Sequence, residues 1–124
     1  MTSNDIATRA DGTQIKLGPV GQKIVFENEH VRVWEISLEP GQRQPWHRHD
    51  NPYLVIAIEA ADNRIDPIDG DAQFQHEPVG GVIYRQAGET HMLTNNGQTR
   101  YRGRLIELKC VGDNGVQQCR EKPA

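Results

Sequence analysis

Along most of this chain apolar and polar residues alternate with the period of two that a β-strand imposes. The clearest run is VRVWEISL, in which Trp34, Ile36 and Leu38 share one face and Val31, Val33, Glu35 and Ser37 the other. KIVFE before it reads as a shorter strand, with NEH as the turn between them and EPGQ as the turn that follows. YLVIAIEA is the most apolar run. There Leu54, Ile56 and Ile58 alternate against Tyr53, Val55 and Ala57, which predicts a strand buried on both faces. NRIDPI and DAQFQHEPV flank Asp69-Gly70, a hairpin signal, and Pro67 predicts an edge or a strand end. VIYRQ, THMLTN and YRGRLIELK supply three more strands, with AGE and NGQT as turns. No periodic helix longer than a turn or two is visible. Roughly eight short strands at close spacing predict an all-β fold, a small closed barrel or double-sheet jelly roll.

The ends of the chain depart from this pattern. Residues 1–17 are expected to be a flexible tail, 18–111 the barrel, and 112–124 a second polar tail. A length of 124 residues suits one domain with one core. Only 35% of residues are apolar and mean hydropathy is −0.72, so the core is modest. Twelve glycines and seven prolines fit a fold rich in turns. A net charge of −3, with pI near 5.9, gives no bulk attraction to nucleic acid or to an anionic membrane. Arg100, Arg102 and Arg104 form the only basic cluster, and strand alternation accounts for them as a solvated face. There is no apolar run long enough to span a membrane and no charged-then-apolar leader, so the expected location is the cytoplasm. In a reducing compartment Cys110 and Cys119 are expected to be free thiols, with a small hairpin disulfide as the alternative.

Candidate chemistry gathers at PWHRHDNPYLV, Pro45 to Val55. Residues two apart on a strand project from one face about 6–7 Å apart, so His47 and His49 can converge on one ion while Arg48 points away. Such a pair alone is weak, because it also arises by chance in hydrophilic loops. His91, on its own strand downstream, would complete a three-imidazole set with open coordination positions, the arrangement of a catalytic rather than a closed structural site. His30 and His76 lie in turn-like polar segments and read as surface residues.

Two segments carry a family resemblance. Gly41, His47, His49 and Tyr53 stand at the spacing of the first cupin motif, which has Gly, two His and a Glu. Gly80, Gln86, Gly88, His91 and Asn95 resemble the second, which has Gly, Pro, Gly, His and Asn. The resemblance spans about residues 22 to 109 and implies an RmlC-like double-stranded β-helix, a small cupin jelly-roll barrel. It also implies a divalent metal, with iron(II) favoured and manganese, nickel or zinc as alternatives, held by His47, His49 and His91. Gln86 replaces the motif proline and should alter only a turn. Tyr53 replaces the fourth ligand, glutamate, so the expected centre has three histidines and no carboxylate.

Tyr53 shares strand parity with the histidines and could orient or protonate a bound group as a catalytic residue; the alternative is an aromatic filling the interior. Asp50 has the wrong parity to replace the glutamate, and Glu59 lies ~20 Å along the strand at 3.3 Å per residue. Substrate-binding candidates are Trp46, Tyr84, Gln86, Tyr101, Arg104 and Glu107. On the last strand Tyr101, Gly103, Leu105 and Glu107 share one face and Arg102, Arg104, Ile106 and Leu108 the other, with the inward face left open. Gly103 marks a tight approach or a bulge.

Three imidazoles leave the full charge of a divalent metal on the site and favour a small polar or anionic substrate. Three-histidine cupins include dioxygenases acting on thiols, diketones and aromatic acids, and small cupins of this appearance include ones linked to β-alanine degradation. The resemblance thus implies a metal-dependent catabolic enzyme, oxygenation being favoured over isomerisation or elimination, and a homodimer. The alternatives are a metal-free lyase, dehydratase or isomerase using His and Tyr as base and acid, and a non-enzymatic binding barrel.

Overall fold

The alternation resolves into two facing antiparallel sheets in the computed structural model, which describes residues 5–109. Eleven strands run in chain order: β1 (Ile6–Thr8), β2 (Gln14–Lys16), β3 (Lys23–Glu27), β4 (Val31–Leu38), β5 (Arg43–Arg48), β6 (Tyr53–Glu59), β7 (Ala61–Pro67), β8 (Gln73–Glu77), β9 (Val82–Arg85), β10 (Thr90–Asn95) and β11 (Tyr101–Leu108). One sheet has the order β3-β4-β11-β6-β9 and the other β5-β10-β7-β8. Among the described residues there is no helix, and so none long and apolar enough to cross a membrane.

The core lies between the sheets. Ile36 and Leu38 of β4, Tyr53 and Ala57 of β6, and Tyr101 and Leu105 of β11 form its centre. This settles the last strand: Tyr101, Gly103, Leu105 and Glu107 face inward, and the arginine-bearing face is outside. The predicted hairpin across Asp69-Gly70 pairs Ala61 to Ile65 with Glu77 to Gln73, and Pro67 closes β7. Asn95 braces the turn that follows β10. Its amide donates to the carbonyls of Leu38 and Thr99 (2.9 and 2.8 Å), and its Oδ1 accepts from Gly97 N–H.

Two expectations are corrected. Residues 5–17, read as part of a tail, form a hairpin of β1 and β2. Gly12 turns it at φ 91°, and Ala7 and Leu17 are buried against the barrel. Strands of three residues are too short to display an alternation, so the pattern was silent there. The run from Tyr53 is not buried on both faces. Tyr53, Val55 and Ala57 face the core, whereas Leu54 and Ile56 are half-buried and Ile58 is exposed on the outer surface of the sheet. Cys110, Cys119 and the segment 112–124 lie outside the described residues.

Candidate metal centre

The first histidine is placed by an irregularity in β5. Its pairing with β10 runs His91↔His47 and then Leu93↔Gln44, so Pro45 and Trp46 together oppose Met92 in a bulge. The extra residue lets Gln44 and His47, three apart, both face inward. His49 follows just beyond the strand. Its N–H donates to Glu89 O (3.0 Å), and its carbonyl accepts from Gly88 N–H (2.7 Å). Gly88 adopts φ 112° to make that turn, which favours glycine and ties the two histidine segments together through the backbone.

His47, His49 and His91 are all buried, and one ring nitrogen from each lies within 4.8 Å of the others. Their rings pack edge to face, with centroids 4.7–4.9 Å apart. Nδ1 of His47 lies 2.6 Å from Pro45 O, which assigns its proton to that nitrogen and leaves Nε2 as the free lone pair. The Nε2 atoms of His49 and His91 are 3.1 Å apart. Two lone pairs cannot face each other at that distance, so either a proton or a cation belongs between them. Two ligands each ~2.1 Å from one ion at right angles would stand about 3 Å apart, so the spacing fits a shared metal.

Burial pushes all three histidines down. His47 falls to about 4, through burial and then the proximity of His91. His91 also falls to about 4, through burial and then Arg85. His49 falls to about 2, through burial and then its two histidine neighbours. All three rings are therefore neutral at pH 7, the state in which imidazole ligates a metal. Around them, Glu89 Oε1 comes within 3.0 Å of His91 Nδ1, but off the line of a hydrogen bond, and that nitrogen and His49 Nδ1 have no hydrogen-bond partner among the described residues.

Tyr53 occupies the position of the missing glutamate and lies flat on His49, with ring centroids 3.8 Å apart and planes 14° apart. Burial raises its phenol well above the ordinary range, so it stays protonated and unsuited to ligate as a phenolate. Neither alternative carboxylate is near. Asp50 is exposed beside Arg48 (3.5 Å), and Glu59 holds Arg100 (2.7 Å).

The histidines and Tyr53 line a cavity of about 40 Å³, closed on one side by Ile65, Leu93 and Leu105. Of the six residues expected to bind substrate, Tyr101 lines it. The other five do not. Trp46 points outward, where Arg9 sits 5.1 Å over its ring. Tyr84 pairs with Leu54 on the outer face and Gln86 is exposed. Arg104 bonds Glu35 outside the barrel. Glu107 faces inward but is committed to Trp34 Nε1 (2.7 Å) and Arg32 (3.2 Å). In their place the cavity takes Gln75 and Glu77 from β8 and Arg85 from β9, which the sequence reading missed. Strand alternation puts Gln75 on the same face as Glu77, and Arg85 on the same face as Ile83. What it lacked was the inward face, since neither strand carries an apolar face strong enough to declare it.

Comparison with known proteins gives the same architecture. No protein-family model and no curated relative matches the chain. Among solved structures, a cupin domain from Bordetella pertussis Tohama I is 26% identical, covering 70% of this chain and 90% of that one at TM-score 0.66. An RmlC-like cupin family protein from Methanocaldococcus jannaschii is 16% identical, with 87% and 92% covered and TM-score 0.61. A double-stranded β-helix protein from Klebsiella pneumoniae is 17% identical, with 75% and 83% covered and TM-score 0.57. With its paired antiparallel sheets and the buried trio His47, His49 and His91, the chain has the fold of the RmlC-like cupins, a small double-stranded β-helix, and its histidine cluster is a candidate divalent metal site.

Proposed function

We propose that the protein is a metal-dependent enzyme acting on a small polar molecule in the cytoplasm, with iron(II) favoured over manganese, nickel or zinc. The observation that carries this reading is the convergence of three buried, neutral imidazoles on one point of an internal cavity. A bound divalent metal would supply Lewis acidity and, as iron, the one-electron chemistry on which a dioxygenase depends. His47, His49 and His91 hold it. Tyr53 keeps His49 in place by stacking, and the apolar wall restricts water. The metal-free alternative is weaker here, because imidazoles with pKa values near 4 or below are poor general bases at neutral pH.

The test is metal analysis of protein purified without a histidine tag. One equivalent of metal is expected, lost in His47→Ala and His91→Ala. Failure of the wild-type protein to bind metal under replete conditions overturns the reading. Oxygen uptake across thiols, diketones and hydroxy acids then separates oxygenation from isomerisation or elimination.

A further inference from the structure

The cavity that holds the histidines carries a second polar cluster on another part of its wall. Glu77 lines it and is 4% exposed, yet among the described residues no cation pairs with it. Its carboxylate is held instead by neutral donors. Tyr101 O–H donates to Oε1 (2.8 Å), while Asn63 Nδ2 (2.8 Å) and Gln75 Nε2 (3.2 Å) donate to Oε2. A carboxylate offers about four acceptor positions, so Oε1 keeps one open. The side-chain Oδ1 of Asn63, a residue 1% exposed, has no hydrogen-bond partner among the described residues. Burial, reinforced by the Glu77 charge, holds the Tyr101 phenol far above its ordinary range, so it is a permanent donor. The cluster is thus a fixed, acceptor-rich group lining the same pocket as the histidine centre. Arg85, the cation lining the same cavity, is engaged by Glu89 (3.2 Å) and Gln75 Oε1 (3.4 Å) rather than by Glu77, so a ligand that brings a donor offsets the cost of burying this carboxylate.

We propose that Glu77 is the substrate-recognition acceptor of this pocket, binding the ammonium or hydroxyl end of a small ligand whose opposite end reaches the histidine centre. The proposal rests on the metal reading above and narrows its substrate class. A wholly anionic molecule would meet Glu77 with like charge. A molecule of a few heavy atoms, with a metal-ligating group at one end and a protonated amine or hydroxyl at the other, satisfies both groups.

The experiment uses full-length protein loaded with cobalt(II), followed by its visible spectrum, and two hydroxamates. Acetohydroxamate has only the metal-ligating end, and glycine hydroxamate adds an ammonium. Wild-type protein is expected to bind the second about tenfold more tightly or better, the scale of a charge-assisted hydrogen bond out of water. Glu77→Gln should remove the preference with cobalt stoichiometry unchanged. Tyr101→Phe, which keeps the carboxylate, should retain it, and it serves if Glu77→Gln does not fold. Equal affinity of the two hydroxamates for cobalt-loaded wild-type protein overturns the proposal, as does a preference that survives Glu77→Gln or vanishes in a folded Tyr101→Phe. Absence of cobalt binding overturns the metal centre itself, an outcome distinct from a loaded protein without preference.

Discussion

Tyr53 shows how one substitution against a motif redirects a site. Where a glutamate would add a negative charge, the tyrosine contributes a ring stacked 3.8 Å from His49 and a phenol that burial keeps protonated. Its work on this geometry is orientation: a flat aromatic neighbour fixes the plane of an imidazole whose Nδ1 has no hydrogen bond to do so. Tyr53→Phe keeps the stack and should bind metal at full stoichiometry, with stability changed by less than ~1 kcal/mol. Tyr53→Ala opens a cavity beside His49 and should cost ~3–5 kcal/mol, with weakened metal binding. Chemical denaturation and metal titration read both effects. Loss of metal in the phenylalanine variant would show that the hydroxyl, rather than the ring, supports the centre.

At the scale of strands, two irregularities position the chemistry. The bulge in β5 lets Gln44 and His47, three residues apart, both face inward. A second bulge interrupts the pairing of β11 with β6 between Arg102 and Gly103. A Cβ built on Gly103 would stand 2.7 Å from the Tyr101 hydroxyl and 3.3 Å from Ile56 O. Tyr101 is 1% exposed, so its ring has nowhere to retreat. Gly103→Ala should therefore displace the phenol from Glu77 and destabilise the fold by ~1–3 kcal/mol, the usual range for overpacking. A melting temperature equal to that of the wild type would contradict this. The sequence marked Gly103 as a close approach or a bulge, and both are present. The bulge in β5 was not legible. Strict alternation from His47 back to Trp46 gives the correct inward and outward assignment, but it places Gln44 outside. The structure buries Gln44, whose amide donates to Pro19 O (3.0 Å).

At the scale of the whole molecule, periodicity and turn residues were sufficient for the all-β architecture and for eight of its strands, because turn residues bound those runs and most of them alternate. The histidine trio was legible because residues two apart on a strand share a face and the motif spacing placed the third. The polar lining from β8 and β9 was not legible. Gln75, Glu77 and Arg85 are polar residues facing a polar cavity, so hydrophobicity gives no sign of their inward orientation. The same reasoning reversed explains the outer face of the five-stranded sheet, where apolar residues face away from the core. Phe26, Val33, Ile106, Leu54 and Tyr84 stand in register, one from each strand, as a single apolar row across the sheet. Phe26 and Tyr84 at its ends are more than half exposed, and Val82 extends it on β9. A contiguous apolar row of this kind marks an association surface. It is flanked by Glu35, Arg102 and Arg104: Glu35 bonds both arginines, and Arg102 also reaches Glu59 (3.6 Å). The homodimer expected from the family resemblance would form here, with the row meeting its own image about a two-fold axis. Sedimentation of the wild-type protein is expected to give a dimer, and Leu54→Glu, which places a charge at the middle of the row, should shift it to a monomer with its metal content intact. A wild-type monomer at micromolar concentration, or a dimer undisturbed by Leu54→Glu, would assign this face to something other than self-association.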